Sequence, residues 1–314
     1  MMRSRLTGLA LFMIAALAGC SGNGGHPDVL MWGARGGLPG HFAAPRAIEA
    51  GGEFVYVIDR LGRVQKFDLQ GRYLLEWRIE PNDNGTPTNL AIDEKGELWI
   101  PDTHNSRILH YSADGALLSS FGEYGEEEGK FIYPTGICFS IAGDLLIVEY
   151  GVRDRVQVFS RTGEYLGKTW GTHGDQEYQF NRPMGIERGP DGLLYIADAA
   201  NHRLKVYTDQ GELVRIMGEQ GRGPGQFDFP YDIDIDPQGD LYVAEFANHR
   251  VQKLSPLGEP LGFWGSMGSA PGQLYEPWGA SIGKDSLFIA DTQNHRVQAP
   301  LLAKIQRFDA PSNP

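Results

Sequence analysis

The chain has 314 residues, 41% hydrophobic and 22% charged, and its 40 acidic against 28 basic side chains give a formal charge of −12. A chain of this size buries about three quarters of its unfolded surface as one domain, and the acidic balance with no basic run excludes nucleic acid as a partner. Two cysteines, Cys20 and Cys138, make no disulfide framework.

At the N-terminus, Arg3 and Arg5 precede an apolar run over residues 6–17 that ends in Ala18-Gly19-Cys20. This is the pattern of an export signal, and it falls short of the roughly 20 apolar residues of a membrane-spanning helix. Leu17-Ala18-Gly19-Cys20 resembles the lipobox of bacterial lipoproteins. The resemblance implies a signal peptide of residues 1–19, lipid attachment at Cys20 and a chain held to the membrane by its acyl groups. Cleavage would leave 295 residues with a formal charge of −14. Residues 20–28, with their Gly and Ser, read as a flexible tether. Ser21 stands where an Asp would favour inner-membrane retention, so the resemblance implies an outer-membrane address facing the periplasm or exterior.

Beyond the tether, residues 29–33 (VLMWG) resemble the blade ending 261–265 (LGFWG), so the N-terminus is expected to supply an outer strand for the last repeat. The repeat itself is clearest at 183–207, PMGIERGPDGLLYIADAANHRLKVY. Residues 193–197 form a short apolar run, 204–207 alternate as a half-buried strand does, and Pro190-Asp191-Gly192 marks a turn. Copies open at Pro45, Pro87, Pro134, Pro183, Pro230 and Pro277, with spacings of 42, 47, 49, 47 and 47. In each, an acid ends the second strand (Asp59, Asp102, Glu149, Asp198, Glu245, Asp291) and an arginine follows (Arg63, Arg107, Arg155, Arg203, Arg250, Arg296). A period in the forties built of short strands points to the four-stranded blades of a β-propeller. Glycine-rich connections at 122–129, 171–174, 218–225 and 265–272 link the blades, and no helix follows them, so they are turns and not phosphate loops.

Asn201-His202-Arg203-Leu204, Asn248-His249-Arg250-Val251 and Asn294-His295-Arg296-Val297 resemble the Asn-His-Leu signature of NHL repeats, with Asn105-Ser106-Arg107-Ile108 a near copy. Blades one and three keep only the arginine. The resemblance implies an all-β, six-bladed propeller of four-stranded antiparallel blades over residues 29–299, its ring closed by the N-terminal strand, with a tail at 300–314. Residues 304–309 (KIQRFD) resemble 63–68 (RVQKFD) and are a rival for the outer edge of blade six.

The acid and arginine occur in every blade and therefore serve the scaffold. Cys138, between Ile137 and Phe139, reads as a small core residue. His104, His202, His249 and His295 invite a metal reading. Equivalent positions on adjacent blades stand about 10 Å apart, too far to share an ion. Asp232, Asp234 and Asp236 alternate along one strand face and read as solvated or arginine-paired. Arg188 interrupts the apolar pattern of blade four without a reason in the sequence.

What differs from blade to blade is free to serve a ligand. In a propeller, the entry to the innermost strand and the turn after the second strand share one face. The varying positions there are Arg46, Thr88, Asn89, Thr135, Met184, Tyr231, Asp232 and Trp278, with the aromatic, arginine and acidic makeup of a recognition surface. Two functions stay open. The first is a monomeric binding or scaffolding module for a protein, peptide or glycan, with no cofactor and no metal. The second is an enzyme like the peptidyl-hydroxyglycine lyases or lactonases that share this fold, with a channel metal held through Glu149, Asn89 and Asp232.

Overall fold

A computed structural model describes residues 29–81 and 84–308. The leader, Cys20 and the tether lie outside the described residues. The strands form six antiparallel sheets arranged as blades around one axis. In blade four, Pro183–Arg188 is innermost, followed outward by Leu194–Asp198, Arg203–Tyr207 and Leu213–Met217. The third-strand pattern of alternating large apolar residues accounts for the packing, because both faces of a blade are covered by its neighbours.

Six apolar cores result, one between each pair of blades. Between blades one and two, for example, Ala47, Ile58 and Val64 pack with Leu90, Leu98 and Ile100. Between blades six and one, Val297 and Phe288 pack with Val55, Val57 and Phe67. Each glycine-rich connection plants an apolar plug in such a core. Phe42, Phe131, Phe180, Phe227 and Leu274 are all fully buried. Gly171 shows why glycine precedes the plug: its φ is +95°, and a Cβ there would meet the Phe180 ring at 2.5 Å.

The ring closes as expected at the N-terminus, where Val29–Trp32 pairs with Arg296–Pro300 from Val29↔Pro300 to Trp32↔Val297. The C-terminal segment behaves differently. Gln306–Arg307 pairs with Pro260–Trp264, so it adds a fifth strand to blade five and leaves blade six to the N-terminal strand. Its similarity to residues 63–68 reflected strand character, and the choice of edge is made by Phe308 stacking on Phe263 at 5.2 Å.

Arg188 also finds its reason here. Its Nε donates to Phe139 O at 2.6 Å in blade three, its Nη1 to Gly192 O at 2.8 Å, and its Nη2 pairs with Asp209. It is a clamp between two blades.

Candidate functional site

The turn after the second strand carries a buried acid paired with an arginine in every blade. All six acids are fully buried. Asp198 Oδ1 accepts from Asn181 N at 2.7 Å, and Oδ2 accepts from Asn201 Nδ2 at 2.9 Å and Arg203 Nε at 2.7 Å. Arg203 then reaches the carbonyls of Gln176 and Gln179 in the glycine-rich connection. The equivalents are Asp59–Arg63, Asp102–Arg107, Glu149–Arg155, Glu245–Arg250 and Asp291–Arg296, at 2.5 to 2.8 Å. Burial raises the carboxyl pKa of Asp102, Glu149 and Glu245, and the arginine beside each opposes the rise.

The signature histidines are latches between blades. His202, His249 and His295 sit at φ 53° to 55°, and their Nδ1 atoms accept the backbone N–H of Phe229, Glu276 and Ala44 at 3.2, 3.0 and 2.9 Å. Accepting requires a neutral ring, and burial lowers the pKa of His249 and His295. In blade three Asp154 Oδ2 does the same work for Arg182 N at 2.7 Å, and in blade two Ser106 Oγ donates to Ile132 O at 2.8 Å. His104 is thus out of register with the other three; it packs edge-on against Tyr133 at 5.6 Å.

The positions that vary between blades do gather at one mouth, though several are buried in it. Arg46 lies over the Trp278 ring at 4.7 Å, Trp278 packs on Tyr231 at 4.7 Å, and Tyr231 on Phe246 at 4.9 Å. Met184 joins Tyr231 in the same apolar cluster, and the two are only 3% and 6% exposed. Thr135 has left the surface altogether, since its Oγ1 donates to Pro183 O at 2.9 Å. Thr88 is buried and its Oγ1 has no partner. Sequence reasoning missed Tyr150, Arg182 and Phe246 because Arg182 and Phe246 lie just outside the strands of the pattern and Tyr150 ends its strand one place beyond the recurring acid of the repeat. Arg182 lies over Tyr231 at 5.4 Å and Tyr150 at 5.6 Å.

Below the mouth the axis is acidic. Asn89 Nδ2 reaches from blade two to Asp232 Oδ1 in blade five at 3.1 Å, and Asp232 Oδ2 accepts from Ala280 N at 3.1 Å. Glycines permit this convergence: a Cβ on Gly185 would meet Asp232 Cα at 3.0 Å, and one on Gly279 would meet Asp232 Oδ2 at 3.2 Å. Asp234 Oδ2 accepts from Ile282 N at 2.5 Å. Asp232 and Asp234 are half-buried and take backbone N–H partners in place of the arginine that the sequence reading allowed, because their strand is innermost and its side chains turn toward blade six. Asp236 closes the hairpin instead, accepting from Gln238 N and Asp240 N. Burial and neighbouring charge raise Glu49, Glu187 and Asp234, and Asp232 is pushed up to about 7 mainly by burial.

The convergence of Glu149 with Asn89 and Asp232 fails. Glu149 is locked in its own blade by Arg155 Nε at 2.6 Å, Gln157 Nε2 at 2.9 Å and Ile132 N at 2.7 Å. Among the described residues, Asp93, Glu97 and His110 bring ligating atoms within 4.8 Å of one another on blade two. Arg161 Nη1 already holds Asp93 Oδ2 at 2.8 Å. Cys138 is core, 2% exposed, with its thiol pushed up by burial.

A family model of the NHL repeat matches residues 180–207 and 227–254. NHL repeat-containing protein 3 of Mus musculus is 31% identical over 133 residues, 41% of this chain and 37% of that protein. Protein brain tumor of Drosophila melanogaster is 20% identical over 133 residues, 42% of this chain and 12% of that protein. The matched stretch thus spans little more than a third of these relatives, or less. Among solved structures, a streptogramin B lyase superposes with a TM-score of 0.61 at 16% identity, covering 87% of this chain and 98% of that one. A gluconolactonase of Xanthomonas campestris gives 0.61 at 15% identity, covering 83% and 86%. At such identities the likeness is one of fold. With the signature matched in two blades and an acid–arginine pair in all six, the chain carries NHL repeats and folds as a six-bladed β-propeller.

Proposed function

We propose that this propeller is a binding module, tethered outside the cytoplasmic membrane through Cys20, that takes its ligand at the mouth lined by Arg46, Tyr231 and Trp278. The observation that carries the reading is the contrast between the two arginine sets on this one face. The turn arginines are spent on buried carboxylates, whereas Arg46 and Arg182 lie against aromatic faces. Aromatic and arginine side chains meeting at a concave centre are the usual anchors of recognition.

The lyase and lactonase neighbours favour an enzyme only through the fold, and the carboxylate set that such a reading needs is divided between the channel and the frame of blade three. The test is capture of ligand from an extracytoplasmic extract by the immobilised protein. Trp278→Ala should weaken capture by more than about 1 kcal/mol, while Gln238→Ala, exposed on the opposite face, leaves it unchanged. The reverse pattern would put the site on the other side of the ring.

A further inference from the structure

Two arginine side chains, Arg46 and Arg182, lie over the rings of the packed Trp278 and Tyr231 pair, and Arg60 follows on the blade of Arg46. Arg46 and Arg60 belong to blade one and Arg182 to the loop entering blade four. Burial first, and then the charges of Arg60 and Arg182, lower the pKa of Arg46 from its ordinary value. Among the described residues, the only hydrogen bond from the Arg46 guanidinium is a 3.5 Å contact to Thr86 Oγ1. Arg46 Nε, Arg182 Nε and Trp278 Nε1 are buried without a partner, and so is Thr88 Oγ1. Each buried donor left unpaired costs about 1–3 kcal/mol, and converging like charges add to that cost.

Glu276, on the same rim, is engaged by Gln293 Nε2 at 2.8 Å, and among the described residues no ion pair joins it to either arginine. The unsatisfied nitrogens are all donors, and two of the three groups are cations, so their complement is an anionic acceptor. A guanidinium fork matches the planar oxygens of a carboxylate or the oxygens of a phosphate. Beside the forks stand the ring faces of Trp278, Tyr231 and Tyr150 at 4.7 to 5.6 Å. A polyanion would be repelled by a body of formal charge −12. A single anionic group carried on a small apolar body suits both the mouth and the body around it.

We propose that the mouth binds a small organic anion, its carboxylate or phosphate held by Arg46 and Arg182 and its flat body against the half-buried Trp278. This rests on the binding-module reading and names the chemistry of its ligand.

Isothermal titration of the intact protein with phenyl phosphate, benzoate, inorganic phosphate and benzyl alcohol tests it. An aromatic anion should bind saturably and benzyl alcohol should not, and preference between phenyl phosphate and benzoate identifies the oxyanion. Arg46→Gln and Arg182→Gln should each weaken binding by about tenfold, the loss of one charge-assisted contact. Both should melt near the wild-type temperature, since neither arginine holds a carboxylate. Should either Gln variant melt lower, Arg182→Lys, which keeps the charge, must bind more tightly than Arg182→Gln.

Three results overturn the proposal: neither aromatic anion binding at millimolar concentration, benzyl alcohol binding as tightly as benzoate, or both Gln variants binding as the wild type does. If Trp278→Ala abolishes ligand capture while the anions fail to bind, the binding module stands and the anion falls. If the anions bind and capture is indifferent to Trp278, the anion stands and the wider reading falls.

Discussion

Carboxylates occupy two environments in this molecule, and their partners decide how each titrates. Asp198 and its equivalents are buried against an arginine and several N–H donors, and in Asp102, Glu149 and Glu245 that arginine opposes the rise that burial brings. Glu49, Glu187, Asp232 and Asp234 crowd the axis, where burial and mutual repulsion outweigh the one nearby cation, Arg188 beside Glu187, and raise their pKa values. A carboxyl whose folded pKa is raised stabilises the fold fully below its unfolded pKa, and that contribution is lost as pH rises through the folded value. Asp232 places the window between the ordinary carboxylate range and about 7. Thermal melts between about pH 5 and about pH 8 should therefore show stability falling as pH rises. Glu187→Gln removes one charge from the cluster and should stabilise the protein at about pH 8 by at least ~1 kcal/mol, one pKa unit of relief. A Glu187→Gln variant that melts no higher than wild type at that pH would show that the channel acids are not in conflict.

At the scale of the strand, the two ends of the chain are unequal. Val29–Trp32 pairs with four of the five residues of Arg296–Pro300 and seats Trp32 against Phe67 at 5.7 Å and Phe288 at 6.0 Å. It joins the last blade to the first through that core. Gln306–Arg307 makes two residue pairs at an outer edge and is exposed. Internal deletion of residues 29–32 is expected to cost at least ~3 kcal/mol, because the strand pairing and the half-buried Trp32 ring are lost together, and to lower the cooperativity of the whole ring. Truncation after residue 305 should cost no more than ~1 kcal/mol. Equal losses in urea unfolding would mean that closure does not depend on the N-terminal strand.

Over the whole molecule, one face carries the turns, the latches and the mouth, and the opposite face carries the short hairpins such as Asp236–Asp240. The N-terminal strand begins at the rim of blade six, so a tether attached there leaves the ring free to present its mouth. Under the proposed lipid attachment, Cys20→Ala should move the protein from the membrane fraction to the soluble fraction or leave an unprocessed precursor on a gel. A variant of wild-type size that stays with the membranes would end the lipoprotein reading.

The sequence by itself determined the blade, because local rules build it: proline entry, alternating apolar residues, glycine turns and an acid matched to an arginine recur at a fixed period. It also pointed to the face of interest, since Arg46, Tyr231 and Trp278 stood out as departures from the repeat. Only the tertiary structure decided what meets across the axis. The bond of Asn89 to Asp232 joins residues 143 positions apart, and the latch from His295 to Ala44 joins residues 251 apart. The same holds for Glu149, which the frame of its blade claims, and for Arg182, whose aromatic neighbours come from blades three and five. A repeat specifies contacts within a blade and with the next one, whereas an axis brings six non-identical strands together at once. Which side chains fill that space is set by the ring and not by any single period.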